Sequence, residues 1–183
     1  SFAGTREALL RRLLEWGASR GDADTLCDAW LVCDDFLLAS LAGPFDVVVG
    51  NPPYVRQERI PAPLLAEYRR RYATIYDRAD LYVPFFERGL QLLQEGGRLA
   101  FICANRWLKN KYGGPLRAMI ARDFHLSHYI DMEGTDAFHS EVVAYPAITV
   151  IRRGQGTVTR IARRPDVTHG LSELTRVLVA PGA

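Results

Sequence analysis

A β-branched run cut off by two consecutive prolines sets the first limit on how this chain can fold. Phe45-Asp46-Val47-Val48-Val49-Gly50 has strand composition, and Asn51-Pro52-Pro53-Tyr54 stops it at once. Each proline locks φ and lacks an N–H, so the loop after the strand offers carbonyl oxygens and no competing donors. Short apolar segments of the same kind recur along the chain and alternate with helical spacing. That alternation predicts an α/β fold on a mainly parallel sheet, with an antiparallel excursion near the C-terminus.

Element by element, Thr5 to Ala18 carries Leu9, Leu10, Leu13, Leu14 and Trp16 at amphipathic helical spacing, closed by Gly17 and Gly21. Gly21-Asp22-Ala23-Asp24 is expected as a loop, and Ala29 to Cys33 as a short buried strand stopped by Asp34-Asp35. After the Phe45–Gly50 strand, Pro61 to Tyr72 reads as a helix with proline in its first turn. Asp80 to Gln94 reads as a longer helix through Leu81, Phe85, Leu90 and Leu93, ended by Gly96-Gly97. Arg98 to Cys103 is a strand, Gly114 to Asp123 a helix and Leu126 to Asp131 a strand. Val142 to Arg152 is a further strand that turns at Gly154-Gln155-Gly156 into Thr157 to Ala162 as a hairpin. The tail from Arg163 to Ala183 is weakly patterned, with room for one short helix.

Composition narrows the function classes. The chain has 183 residues, 48% hydrophobic and 24% charged, the balance of a folded globule rather than a disordered segment. Its longest uncharged apolar run, Val142 to Ile151, is ten residues and too short for a bilayer. No secretory leader is visible, and Cys27, Cys33 and Cys103 lack paired spacing, so reduced core thiols and a cytoplasmic protein are expected. Net charge is only +2, far from a strongly basic chain, although Lys109 and Lys111 are the sole lysines among 23 basic residues. His125 and His128 stand three apart but without a metal-ligand pattern, and no metal is expected.

The Asn51–Tyr54 loop carries chemistry of its own. The carboxyl end of a strand in an open α/β sheet is where ligands bind. There the Asn51 carboxamide and the Pro52 carbonyl form a pair of acceptors, held by Pro53 beside the flat ring of Tyr54. Such a pair suits a planar ring with an exocyclic amine. Accepting both N–H bonds draws the nitrogen toward tetrahedral geometry and localises its lone pair, and alignment with an electrophilic carbon then supplies the rest.

In order along the chain, Asp34-Asp35-Phe36-Leu37, Phe45 to Arg56, Asp80-Leu81-Tyr82, Gly96 to Ile102 and Asn105-Arg106-Trp107-Leu108 resemble motifs III to VII of the amino-group DNA methyltransferases. Val55-Arg56-Gln57-Glu58 resembles the adenine-N6 branch that includes the Eco57I-type restriction–modification methylases. The likeness covers roughly residues 30 to 152 and implies a Rossmann-like S-adenosylmethionine-dependent fold. It implies that Asn51 and Pro52 hold the target amine and that Tyr54 stacks on an adenine flipped out of duplex DNA. It further implies that Phe138 covers the other face of that base. Asp35, Phe36 and Asp80 would lie on the S-adenosylmethionine side, although Asp35 also suits a strand-end cap and Asp80 a helix cap.

The family's glycine-rich motif I and acidic motif II have no counterpart here. Residues 1–162 are therefore expected to be a partial catalytic domain that by itself binds the cofactor poorly or not at all, and 163–183 an extension toward a target-recognition domain. Without the strands between them, the segment ending at Asp35 and the strand ending at Asn51 must pair directly or leave edges exposed. Two other readings stay open: transfer to an RNA base or protein glutamine, and a catalytically silent DNA-binding or assembly module. Arg69-Arg70-Arg71, Lys109 with Lys111, and Arg152-Arg153 are candidate phosphate contacts.

Overall fold

The structure is a computed structural model that describes residues 2–133 and 146–164, together with 175 and 179. It divides into two compact units, Ser1–Ala39 and Ser40–Ala183.

The first unit is a helix pair. Helix α1 (Phe2–Glu15) ends at a turn in which Gly17 adopts φ +92°, a conformation that glycine takes without Cβ strain. Helix α2 (Arg20–Trp30) starts at Ser19, whose hydroxyl oxygen accepts from the Asp22 N–H at 3.2 Å. Leu10 and Leu13 pack against Ala23 and Cys27 to form its core. Arg6 reaches across the pair to Asp24 and Asp28 at 3.1 and 3.0 Å. Two expectations fail here. The Gly21–Asp24 segment is the first turn of α2 rather than a loop, because the Ser19 cap sets its start. The strand expected over Ala29–Cys33 does not form: α2 runs through Trp30, residues 31–33 pair with no strand, and Trp30 and Val32 are exposed. Cys33 is exposed too, while Cys27 and Cys103 are buried as expected.

In the second unit, five strands form one sheet in the order β1-β2-β4-β3-β5. They are β1 (Phe45–Gly50), β2 (Leu93–Ala104), β3 (Phe124–Asp131), β4 (Pro146–Arg153) and β5 (Arg160–Arg163). Pairs β1–β2 and β3–β5 are parallel, and β4 is antiparallel to both β2 and β3, so every strand except β4 runs in one direction. The mainly parallel α/β expectation holds. The hairpin does not: β4 already has β2 and β3 on its two sides, so the chain after Gly154-Gln155-Gly156 passes to the far side of β3 and pairs there.

Helix α3 (Ala62–Arg71) follows Pro61 as predicted, and α4 (Tyr82–Gln91) and α5 (Gly114–Asp123) pack on the sheet. Their buried side chains, Tyr82, Val83, Phe86 and Leu90 from α4 with Leu116 and Ile120 from α5, close over Leu99, Phe101 and Ile151. Helix α4 is shorter than expected at both ends. Leu93 already belongs to β2, and Gly96-Gly97 makes a bulge inside that strand, where Phe45 pairs with Leu93 but Val47 with Arg98. A Cβ on Gly97 would stand 3.0 Å from the Phe45 carbonyl oxygen, which is why glycine sits there. Strand β1 is an edge: Val48 faces the core, whereas Phe45, Val47 and Val49 are exposed, Val49 to 75%. The exposed-edge alternative is thus the one realised.

Candidate active site

Because β1, β2, β3 and β5 run the same way, their carboxyl ends lie along one rim of the sheet. That rim carries Asn51 after β1, Asn105 after β2, Asp131 ending β3 and Arg163 ending β5. Asn51 is exposed, and its carboxamide makes no hydrogen bond among the described residues. Pro52 is buried, Pro53 is exposed, and the Pro53 carbonyl accepts from the Val55 N–H at 3.1 Å, closing a tight turn.

Tyr54 is 44% exposed and leans on the core through Tyr82, ring centroids 6.3 Å apart and planes at 46°. Tyr82 in turn shares a buried hydroxyl–hydroxyl hydrogen bond with Tyr112 at 3.0 Å. Burial lifts the Tyr54 phenol to about 12, with neighbouring Cys103 adding to the rise and a backbone hydrogen bond at Ala104 opposing it. The ring therefore has one supported face and an open side, its hydroxyl next to the end of β2. The exposed Asn51 side chain, the turn at Pro53 and the Tyr54 ring backed by Tyr82 thus follow one another at the end of β1.

The rim gains a feature that sequence reasoning missed. Buried Asn105 donates to the Tyr129 hydroxyl at 3.1 Å, joining the ends of β2 and β3. Burial raises the Tyr129 phenol, Asn105 opposes that, and Asp131 and Glu133 add to it. The signal was present: Asn105 follows its strand as Asn51 follows β1.

The family model described as Eco57I restriction-modification methylase matches residues 16–138. The chain belongs to that family. It is 58% identical over 99% of its length to the Type II methyltransferase M.PaeR7I of Pseudomonas aeruginosa, and 55% identical over 92% to M.XhoI of Xanthomonas vasicola. It spans 32% of each of those relatives, about a third. A Listeria monocytogenes structure described as a class I S-adenosylmethionine-dependent methyltransferase has the same fold, with TM-score 0.62 and 18% identity over 78% of this chain and 45% of that one.

In this Eco57I-family chain the expected cofactor residues are found in two settings. Asp35 closes a turn rather than a strand: its carboxylate accepts from the Leu37 N–H at 2.9 Å and its carbonyl from Leu38 and Ala39 at 2.9 and 2.7 Å. Phe36 is half-buried in that turn. In the other unit, half-buried Asp80 lies ahead of α4, whose cap residue is Leu81, so the helix-cap alternative for Asp80 is not realised. Burial raises the Asp80 carboxyl, nearby Arg56 and Arg106 draw it down, and Glu58 pushes it up. Phe138 lies outside the described residues, as do residues 142–145 of the predicted strand and most of the tail.

The basic clusters separate. Arg70 and Arg71 pair with Glu67 at 2.8 and 2.6 Å and hold its carboxyl at about 2, while Arg69 donates to Gln57 at 3.0 Å. Arg153 donates to the Leu93 carbonyl at 2.7 Å and pairs with Glu95 at 3.4 Å. Lys109 and Lys111 are exposed on the rim without such partners among the described residues. His125 meets the Val158 carbonyl and His128 the Ser127 hydroxyl, and no cluster with metal-binding composition occurs among the described residues. No described helix is long and apolar enough to cross a membrane. A cavity of about 490 Å³, lined among others by Thr74, Glu87 and Arg153, lies where α4 and α5 end, at the opposite side of the sheet from the rim. Glu87 accepts from the Ala73 and Thr74 N–H groups and from Gln91, which makes it a structural carboxylate.

Proposed function

We propose that this chain is the target-base half of an S-adenosylmethionine-dependent DNA methyltransferase that modifies the N6 amine of adenine within a restriction–modification system in the cytoplasm. The observation that carries this reading is the Asn51 carboxamide, exposed and without a hydrogen bond among the described residues at the end of β1, next to a Tyr54 ring supported from behind by Tyr82.

In this reading the flipped adenine of a DNA duplex lies on Tyr54, and its amine donates to the Asn51 side-chain oxygen and the Pro52 carbonyl. Two acceptors on one nitrogen localise its lone pair, so no strong base has to act beforehand. Tyr54 stays a neutral phenol at physiological pH and stacks without adding charge. Phe138 is proposed to cover the second face of the base. When bound, S-adenosylmethionine supplies an electrophilic methyl group. The Asp35 carboxylate has the chemistry to take an adenine amine of that cofactor and Phe36 that of an apolar plate for its ring, and Asp80 of the second unit is proposed as a further cofactor residue. Residues 1–162 make up the catalytic part under this reading. The remaining cofactor contacts and the target-recognition domain belong to polypeptide outside this chain.

The test is label transfer from S-[methyl-³H]adenosylmethionine by the complete polypeptide. Label should enter duplex DNA as N6-methyladenine, and Asn51→Ala should lower the rate by about 10²–10³ or more, the usual cost of removing a group that acts mainly in the transition state. Label in RNA or protein, or none from a folded wild-type enzyme, would replace this reading with one of its alternatives.

A further inference from the structure

Exposed cations in this fold differ in their partners and in where they cluster, and two that are bare among the described residues, Arg98 and Arg152, stand on β2 and β4 away from the rim. On the helices most are neutralised, as Arg70 and Arg71 are by Glu67 and Arg122 by Asp123. On the rim loops Arg56, Arg59, Arg78, Lys109 and Lys111 are exposed and form no salt bridge or side-chain hydrogen bond among the described residues. A surface arginine or lysine usually finds a carboxylate or solvent, and five unneutralised cations gathered on the loops of one rim are an electrostatic footprint for an anion.

These five sit on rim loops, Arg56, Arg59 and Arg78 on two loops joined next to the end of β1 and Lys109 and Lys111 after the end of β2. Gln57 donates to the Asp77 carbonyl at 2.6 Å, which ties the turn bearing Arg56 and Arg59 to the loop bearing Arg78. The Leu81 N–H donates to the Val55 carbonyl at 2.8 Å and anchors the same assembly directly after Tyr54. On the other side, Lys109 and Lys111 follow the turn at Asn105–Leu108. That turn is pinned by buried Trp107 and by Arg117, which donates to the Trp107 and Asn110 carbonyls at 2.5 and 2.9 Å. Asp80 lies between the two flanks, close to Arg56 from one and Arg106 from the other. Both flanks are thus held in place before any ligand arrives. Three carboxylates, Glu58, Asp77 and Asp80, share these loops and leave the rim positive.

We propose that the two flanks, Arg56, Arg59 and Arg78 on one side and Lys109 and Lys111 on the other, grip DNA phosphates on either side of the base delivered to Asn51 and Tyr54. The inference rests on the DNA reading above and adds to it which residues of this chain hold the backbone. Contacts of this kind carry no sequence information. They position the duplex and make its binding salt-dependent, with a slope of about 0.9 per phosphate neutralised.

The experiment measures binding of two short duplexes of unrelated sequence to the complete polypeptide by fluorescence anisotropy across a salt series. Arg59→Gln/Arg78→Gln and Lys109→Gln/Lys111→Gln should each weaken both duplexes alike, by about tenfold at low salt, and reduce the slope by roughly 1–2. Arg98→Gln removes an exposed charge on β2 about 20 Å from the rim and should leave the slope unchanged. Unchanged slopes in the rim variants, or a loss confined to one sequence, would overturn the proposal. Label transfer to DNA by the wild type is read separately. Transfer with unaltered slopes sinks the phosphate grip alone, and altered slopes without transfer sink the methylation reading alone.

Discussion

Tyr82 and Tyr112 meet hydroxyl to hydroxyl at 3.0 Å in the core, and the first of them is the ring on which Tyr54 leans. Replacing either tyrosine by phenylalanine strands the other hydroxyl among apolar neighbours. Tyr82→Phe and Tyr112→Phe should each destabilise the fold by about 1–2 kcal/mol, whereas the double variant should lose much less than their sum. Urea denaturation of all three variants measures the coupling, and strict additivity would show that the hydrogen bond contributes nothing.

Alkaline pH should weaken the fold in a defined window. The Tyr54 phenol and the Cys103 thiol are both raised to about 12 by burial. Free tyrosine and cysteine ionise at roughly 10 and 8.5, so between those values and 12 the unfolded chain has released protons that the folded chain keeps. Stability is therefore complete below about pH 8.5 and declines as pH rises toward 12. Thermal melts at stepped pH should show this fall, with a smaller fall in Tyr54→Phe.

Two glycines test how closely the helices and turns are fitted. A Cβ at Gly89 on α4 would stand 2.5 Å from Leu99 Cδ1 and 3.2 Å from Phe101 Cζ, both buried. Gly89→Ala should cost about 1–3 kcal/mol through overpacking. At Gly113 the clash is with the Trp107 carbonyl, which is backbone and cannot rotate away. Gly113→Ala should exceed the cost at Gly89 and displace the Lys109–Lys111 loop. Equal midpoints for the two variants in chemical denaturation would contradict this ranking.

Thiol reactivity should follow exposure. Cys33 is exposed, and Cys27 and Cys103 are buried. A disulfide reagent at pH 8 should label Cys33 rapidly and the other two only on unfolding. Rapid native labelling at Cys103 would mean that the core next to Tyr54 opens to solvent.

What could be read from residues alone was whatever a local pattern determines. The Phe45–Gly50 strand, the Gly114–Asp123 helix and the fixed loop at Asn51–Tyr54 needed no partners to be recognised. Failures occurred where tertiary context overrode composition. Ala29–Cys33 is apolar enough for a strand but pairs with none among the described residues, and α2, started at the Ser19 cap, runs on into it through Trp30. Gly96-Gly97 has the look of a helix stop, yet its glycines serve the bulge that brings β2 against β1. Thr157–Ala162 follows a good turn, but β4 had no side left to pair. The Asn105–Tyr129 contact was hidden because it joins two strands through a register that only the assembled sheet specifies.

The insertion of β4 between β2 and β3 has a consequence for synthesis. Until residues 146–153 leave the ribosome, β2 and β3 lack the strand that joins them, and Asn105 and Tyr129 stay apart. The nascent polypeptide can form β1, β2 and the helix over them first, yet it carries half a rim until that late segment arrives. A translation pause just before it would leave bare strand edges available to chaperones and to misassembly.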